Sequence, residues 1–529
     1  MNFKDLFKEL SGVVTPPTAD VEITAPISEN AQTIQPGGVF LARKGASRDG
    51  HDLIPQAIDN GAVAVVGEYP REQISCPVPY AQVENGMQAL GPLSAAYYGY
   101  PSRRLVVIGV TGTDGKTTTS TLIYNILLAA GIPTGLLTTV SAVIGEDELA
   151  TGLHVTTPPA HEVQMYLAQM VEAGMTHAVL ETTSHGLAQG RVNGVDYDVA
   201  VMTNVTHEHL DFHGTWQQYR RDKARLFEMT ANSYRKPNMI KAVVINADDP
   251  SADYFQQAAN GVDRVILYGL QPVYPVDFTV DSVEYGPDMT RLKFVGSNGL
   301  KQLVETTMIG PFNVLNMLAA VSACSAVIRN DNERLRNAIY DGISQMKLIP
   351  GRMERIDEGQ NFLAIVDFAH TPNALKRALE AARTMIDSDK RIIAIFGSAG
   401  LRDREKRRLM AEVGMQHADI CVLTAEDPRT ESLAGILNEM AQGAISKGGI
   451  EGENFWRVMD RGRALEFGCS LARRGDLVIV CGKGHEQSMA FGSEEYPWDD
   501  REALRGALRG TPVLTLPTAS WKARDSGMM

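Results

Sequence analysis

The sequence predicts an α/β protein built in three units, and three observations lead there. The mostly apolar run Leu105–Val110 meets a glycine-rich turn and then an amphipathic stretch, giving the order strand, loop, helix. The same alternation of short apolar strands with helices recurs on both sides of that segment. Pro101 and Pro350-Gly351 interrupt it, dividing the chain into residues 1–103, 104–349 and 350–529. At 529 residues the chain is too long for one core, so several domains are expected.

The first unit opens on MNFKDLFKELSG, which reads as an amphipathic helix with charges throughout, not as a signal peptide. Gly37–Arg43, Asp49-Gly50-His51 and Gly61–Val66 then supply short apolar strands around a helix over Leu53–Asn60. That pattern predicts a small α/β domain.

The second unit starts with the Leu105–Val110 strand and the loop Gly112-Thr113-Asp114-Gly115-Lys116-Thr117. Small residues let backbone N–H groups wrap a polyphosphate at a helix N-terminus, lysine neutralises charge, and a threonine hydroxyl can hold Mg²⁺. Val110 stands where the full phosphate-loop pattern has its first glycine. Thr117–Ala130 predicts a helix with Leu122, Ile123, Ile126 and Leu127 on one face and Gly131 ending it. Strands are predicted at Ala178–Glu181, Val199–Asn204, Ala242–Asn246 and Arg264–Tyr268, an antiparallel excursion over 275–309, and a closing helix over Asn313–Ile328. The sum is a doubly wound sheet, which binds ligands at the carboxyl ends of its strands.

The third unit repeats the alternation as a Rossmann-like layer. It has strands at Leu363–Asp367, Ile392–Phe396, Ile420–Thr424 and Leu477–Cys481, and helices at Ala374–Met385, Arg404–Gly414 and Leu433–Gln442. The apolar strands run into polar turns: VDFAHTP, GSAGLRDREK, TAEDPRTES and CGKGHE.

Composition narrows the function. A net charge of −13 argues against a nucleic-acid partner. No apolar run approaches the roughly 18 residues a membrane helix needs, so no stable membrane association is expected. Five scattered cysteines without a CxxC fit a reduced cytoplasm.

Several constellations carry chemistry. Glu181 ends a strand in the sheet of the phosphate loop, a good place for a metal ligand, with a solvent-facing loop glutamate as the bland alternative. Thr206–His213 packs three histidines into one loop without an H-E-x-x-H spacing, leaving metal or phosphate contact and a solvated loop both open. Lys223, in a helix over Thr215–Met229, is by spacing a solvated side chain. Asp367 and His370 end a strand together, and Arg402–Arg408 is a basic run on an acidic protein, solvated or holding an anion. Gly482–Glu486 is a glycine turn presenting a cation and an anion, the pair an amino-acid zwitterion needs.

The motifs TGTDGKTTT, ETTSHGLAQGR, HEHLDFHGT with YRRDK, FNVLNMLAA, GRMERI, DFAHTP, EDPRTE and GKGHE resemble, in that order, the Mur ligase family, and most closely its tripeptide-stage branch. The resemblance covers nearly the whole chain. It implies a cytoplasmic, monomeric, three-domain ATP-dependent ligase. The first domain holds the uridine end of UDP-MurNAc-L-Ala-D-Glu, the central one ATP, and the third a free diamino acid. By similarity, Gly112, Thr113, Asp114, Gly115, Lys116, Thr117 and Thr118 bind the nucleotide, with Asn316, Arg352 and Asp367 completing its site. Lys116, Glu181, His209 and Lys223 would be catalytic. Two Mg²⁺ ions would be held by Thr117, Glu181, His209 and Lys223 as a carbamate. Thr156, Thr157, Thr183, Gln189 and Arg191 match substrate-binding positions; Arg402, Asp427, Arg429, Gly482 and Glu486 match those that hold the added amino acid.

Two departures bear on specificity. Asn30-Ala31-Gln32 stands where the family shows D-S-R, removing an arginine from the uridine end and leaving a different acceptor as the alternative reading. The family's D-N-P-R appears as Glu426-Asp427-Pro428-Arg429. Arg429 suits the distal carboxylate of meso-diaminopimelate, whereas Asp427 adds negative charge suited to a distal ammonium, as in lysine or ornithine. The lean is to meso-diaminopimelate.

Overall fold

A computed structural model describes residues 1–45, 48–150, 157–206, 210–272, 275–286, 289–329, 331–346 and 349–520. Its strands form three main sheets. The first, of five strands, runs in the order Val13–Thr15, Tyr80–Val83, Ala64–Gly67, Val39–Ala42, Ile27–Ser28, parallel except for the first strand. The amphipathic helix expected at the N-terminus is one short 3₁₀ turn, Phe3–Phe7, with Phe3 and Leu6 buried. The reason is local. Phe3 N–H donates to the Val21 carbonyl and Ile23 N–H to that of Met1, so the first residues are extended and unavailable to a helix.

The second sheet has eleven strands. Six central ones are parallel: Arg264–Tyr268, Ala242–Asn246, Val199–Met202, Val106–Thr111, His177–Glu181 and Thr134–Leu137, in that spatial order. The antiparallel excursion is three strands, Phe278–Tyr285, Thr290–Gly296 and Lys301–Thr306, extending one edge. Ser141–Ile144 and Asp147–Ala150 extend the other, a hairpin with no counterpart in the sequence reading.

Val106–Thr111 lies between Val199–Met202 and His177–Glu181. The chain leaves it towards one edge and later fills the other side, so the crevice at its carboxyl end is a topological switch point. The helix Lys116–Ala129 follows directly, and Pro311–Val327, buried nearly all round, packs beside it on the same face.

The third sheet orders Glu354–Arg355, Leu363–Asp367, Leu477–Cys481, Ile392–Phe396, Ile420–Leu423 and Phe455–Arg457. Leu363–Asp367, Ile392–Phe396 and Leu477–Cys481 fall where the apolar runs place them. Their residues are apolar on both faces because helices cover both faces of a parallel sheet. A separate hairpin, Ser488–Phe491 with Glu494–Pro497, stands over the turn that follows Ile420–Leu423.

Candidate active site

One cavity of about 1290 Å³ joins the carboxyl ends of the second and third sheets. Among the described residues it is lined by every predicted site residue except Thr157, and by none of the first 100 residues. Thr157 is buried behind it, its hydroxyl 2.9 Å from that of Thr183, which does face the cavity. Thr183 also accepts from Gly186 N–H, and Arg191 donates to the Thr157 carbonyl at 2.7 Å, fixing this wall. Thr156 and His209 lie outside the described residues.

Backbone geometry makes the phosphate loop. Gly112 and Gly115 have φ of +155° and +82°. A Cβ on Gly112 would lie 1.8 Å from Thr203 Oγ1, and one on Gly115 2.2 Å from Asn316 Oδ1. Only glycine fits either place. Lys116 Nζ donates to Thr113 O at 2.8 Å, closing the loop on itself. The Asp114 carbonyl accepts from Thr203 Oγ1 and Asn204 Nδ2, and Thr113 Oγ1 lies 3.0 Å from the Tyr219 hydroxyl. Thr118 lines the cavity from the helix's first turn.

Glu181 is buried at the end of its strand, its register partner being Val110 on the phosphate-loop strand. Its Oε2 accepts from Thr117 Oγ1 at 2.9 Å and from the amide and hydroxyl of Thr139. The solvated-loop alternative fails. So does a solvated Lys223: it is 1% exposed, donates from Nζ to Gly112 O at 2.6 Å, and lies over the Tyr219 ring. Of the histidine cluster, His213 faces inward to Asp222 (2.7 Å) and Ser184 (3.1 Å), a structural role; His207 and His209 are outside the described residues.

The third unit supplies the opposite wall. Arg352 Nη2 donates to Thr117 Oγ1 at 3.3 Å while its guanidinium covers the Phe368 ring, and Asn373 Nδ2 donates to Asp114 Oδ2 at 2.8 Å. Asp367 accepts from Met353 and Ala369 N–H. Burial pushes its carboxyl above the usual range, with the Arg352 charge pulling the other way. Burial lowers His185 to about 4, His485 to about 3 and His370 well below its ordinary value, so these three imidazoles are neutral at pH 7.

At the amino-acid end the structure corrects one expectation. Lys483 is not offered to a zwitterion. It is buried and donates to both Asp427 oxygens (2.9 and 3.0 Å) and to Glu486 (2.5 Å). Burial alone would lower its ammonium, but Glu486 and Asp427 outweigh that and hold it above the ordinary value. The negative charge that Asp427 adds is therefore compensated inside the protein. Asp427 and Arg429 flank Pro428 at φ of +40° and +53°, a left-handed backbone that costs non-glycine residues about 1–3 kcal/mol each. The hairpin holds it there: Ala490 N–H donates to Asp427, Arg429 N–H to the Ala490 carbonyl, and Gly492 N–H to that of Arg429. The Arg429 guanidinium donates to Gly400 O and lines the cavity with exposed Arg402. The basic run divides here. Arg404 and Arg408 are exposed and paired with glutamates, whereas Lys406 and Arg407 are buried.

Among the cavity residues to which the sequence reading gave no role are Thr139 and Glu426. Thr139 carries no motif. Glu426 is inside one, but its burial is invisible without the fold.

Compared with known proteins, residues 27–98 match the description "Mur ligase family, catalytic domain", residues 110–324 "Mur ligase middle domain", and residues 351–484 "Mur ligase, glutamate ligase domain". A UDP-N-acetylmuramyl-tripeptide synthetase of a Roseiflexus species is 41% identical, over 96% of this chain and 99% of its own. A UDP-N-acetylmuramoyl-L-alanyl-D-glutamate–2,6-diaminopimelate ligase of Geobacillus thermodenitrificans is 36% identical over the same shares. A solved structure of a ligase of that second name superposes with a TM-score of 0.63 at 30% identity, covering 92% of this chain and 95% of the other.

Proposed function

The chain belongs to the Mur ligase family, and from that premise we propose that it joins a diamino acid to UDP-N-acetylmuramoyl-L-alanyl-D-glutamate at the expense of ATP. The observation that carries this reading is the single cavity, with a phosphate loop at one end and a charged amino-acid pocket at the other. Residues 1–103 hold the uridine end of the acceptor, 104–349 the nucleotide, and 350–529 the incoming amino acid.

The chemistry follows from the residues. A carboxylate is a poor electrophile, so its oxygen attacks the γ-phosphate of ATP, giving an acyl phosphate and ADP. Backbone N–H groups of Gly112–Thr117 cradle the phosphates, and Lys116 meets the charge on the transferring group. Asn316, Arg352 and Asp367 hold the nucleotide, and Thr156, Thr157, Thr183, Gln189 and Arg191 the acceptor peptide.

Thr117 and Glu181 present a hydroxyl and a carboxylate side by side, an oxygen set that suits Mg²⁺. With His209 and a carbamylated Lys223 they would hold two such ions, which when bound neutralise phosphoryl oxygens. The amine of the amino acid then attacks the acyl carbon and phosphate leaves, and closure of the domains would exclude water.

The amino acid is meso-diaminopimelate. With Asp427 engaged by Lys483, Arg429 and Arg402 are cations of the cavity that suit a distal carboxylate. The acidic chain argues against a nucleic-acid partner, the dispersed cysteines fit a reduced cytoplasm, the monomer rests on the family resemblance alone, and among the described residues no helix is long and apolar enough to cross a membrane. The deciding experiment is ADP and phosphate release with the muramoyl dipeptide and a panel of meso-diaminopimelate, lysine and ornithine. Release is expected with meso-diaminopimelate; none with any of the three overturns the ligase reading.

A further inference from the structure

Around the amino-acid pocket, several carboxylates of the described residues are matched to cations. Lys483 serves Asp427 and Glu486. Arg461 and Asp500, both wholly buried, form a two-point pair with N–O distances of 2.7 Å, and Trp498 Nε1 adds a third donor to Asp500. The rest of the Arg461 guanidinium holds the carbonyls of Ala425 and Cys481 at 3.0 and 2.9 Å. Glu426 stands between these groups, 5% exposed, and its buried Oε2 has no hydrogen-bond partner among the described residues.

Its position is built for. Glu426 lines the cavity with Asp427, Arg429 and Gly482. A Cβ on Gly482 would lie 2.5 Å from Glu426 Oε2, and one on Gly397 2.7 Å from Glu426 Cβ. A side chain at Gly482 would displace this carboxyl, and one at Gly397 would displace the residue that carries it. A buried, unsatisfied acceptor is costly to keep, so its retention at a ligand pocket calls for a role.

We propose that Glu426 is the base that takes the proton from the ammonium of the incoming amino acid. The inference rests on the ligase reading above and adds to it the group that readies the nucleophile. An ammonium has no lone pair to attack with. Glu426 removes one N–H proton, and the freed pair forms the N–C bond at the acyl phosphate. The tetrahedral carbon collapses as the C–O bond to phosphate breaks, its electron pair leaving on the phosphate oxygen. The departing phosphate takes the second nitrogen proton, and Glu426 returns its own to water. Burial raises the Glu426 carboxyl to about 7, against the pull of Lys406, Arg461 and Lys483 and with Asp427 adding to the rise. A base with that value is half ionised at neutrality, where proton transfer is most effective.

The test compares two nucleophiles in the full-length enzyme. Hydroxylamine is already neutral at pH 7 and intercepts an acyl phosphate without a base. Glu426→Gln is expected to lose about 100-fold in kcat with meso-diaminopimelate. Its KM should stay within about twofold, and hydroxylamine-dependent ADP release should be unchanged to the same margin. The wild-type rate should rise with pH through about 7, and the variant should lack that limb.

Folding is checked separately. A carboxyl whose folded value is raised stabilises the protein fully below its unfolded value, and that contribution is lost as pH rises through about 7. The glutamine variant should therefore melt no lower than wild type at pH 8. If it does not fold, Glu426→Asp is read instead and should keep the pH limb with a smaller loss. Equal losses with both nucleophiles, or a rise in KM alone, overturn the proposal. A wild-type enzyme that releases no ADP with either nucleophile overturns the ligase reading itself.

Discussion

The two ends of the cavity start from the same material, the carboxyl ends of parallel strands, and finish it in different ways. At Gly112–Thr117 the proposed binding groups are backbone N–H donors, and the loop is held by hydrogen bonds to Thr203, Asn204 and Tyr219. At Asp427–Arg429 and Gly482–Glu486 they are charged side chains, paired with each other before any ligand arrives. A phosphate chain is the same in every nucleotide, so a fixed backbone cradle serves it. An amino acid must be told from its neighbours by the charge at its far end, which needs side chains. Side-chain charges in a buried pocket are unstable unless compensated. Generality is written in the main chain and selectivity in balanced charges.

Substitutions at the two ends should therefore fail differently. The largest effect is expected for Lys116→Ala, with ADP release falling by about 10³-fold or more whether diaminopimelate or hydroxylamine is the nucleophile. Surviving turnover would remove the phosphoryl-transfer role from that end. Next comes Lys483→Met, which removes the ammonium that Asp427 and Glu486 share. Breaking a buried pair costs about 3–5 kcal/mol, so a lowered melting temperature is expected, together with a raised KM for the amino acid and an unchanged KM for ATP.

Gly112→Ala should do the reverse. Its Cβ meets Thr203 Oγ1 at 1.8 Å, so the loop must shift, and the KM for ATP should rise about tenfold while that for the amino acid holds. If both constants move together, the two ends are not separable. The smallest expected change is in preference rather than rate. Arg429→Ala should weaken meso-diaminopimelate by about 1–3 kcal/mol relative to lysine, read as the ratio of kcat/KM values.

The same contrast governs what can be read from the chain alone. Leu363–Asp367 and Leu477–Cys481 are legible because a buried parallel strand needs apolar residues on both faces and ends at a polar turn. Gly112 and Gly115 are legible because their backbone admits no other residue. The hairpin Ser141–Ile144 with Asp147–Ala150 is not, being short, at an edge and laced with polar residues. Nor is the burial of Lys223, whose partner carbonyl on Gly112 is 111 residues away. The pairing of Lys483 with Asp427 is hidden for the same reason: motifs announce which residues share a turn, not which turns face each other. Helix Arg461–Leu471 gave no signal, yet its first residue ties Ala425 and Cys481, on strand ends separated by Ile392–Phe396.

Arg352 and Asn373 reach from the third unit to Thr117 and Asp114, residues of the phosphate loop itself. On the proposed function, a nucleotide in the loop would meet the same atoms that the third unit holds, which would link the two binding events thermodynamically. Whatever factor a bound nucleotide imposes on the affinity for the amino acid, the amino acid must impose on the nucleotide. That reciprocity is open to measurement by titrating either ligand in the presence of the other.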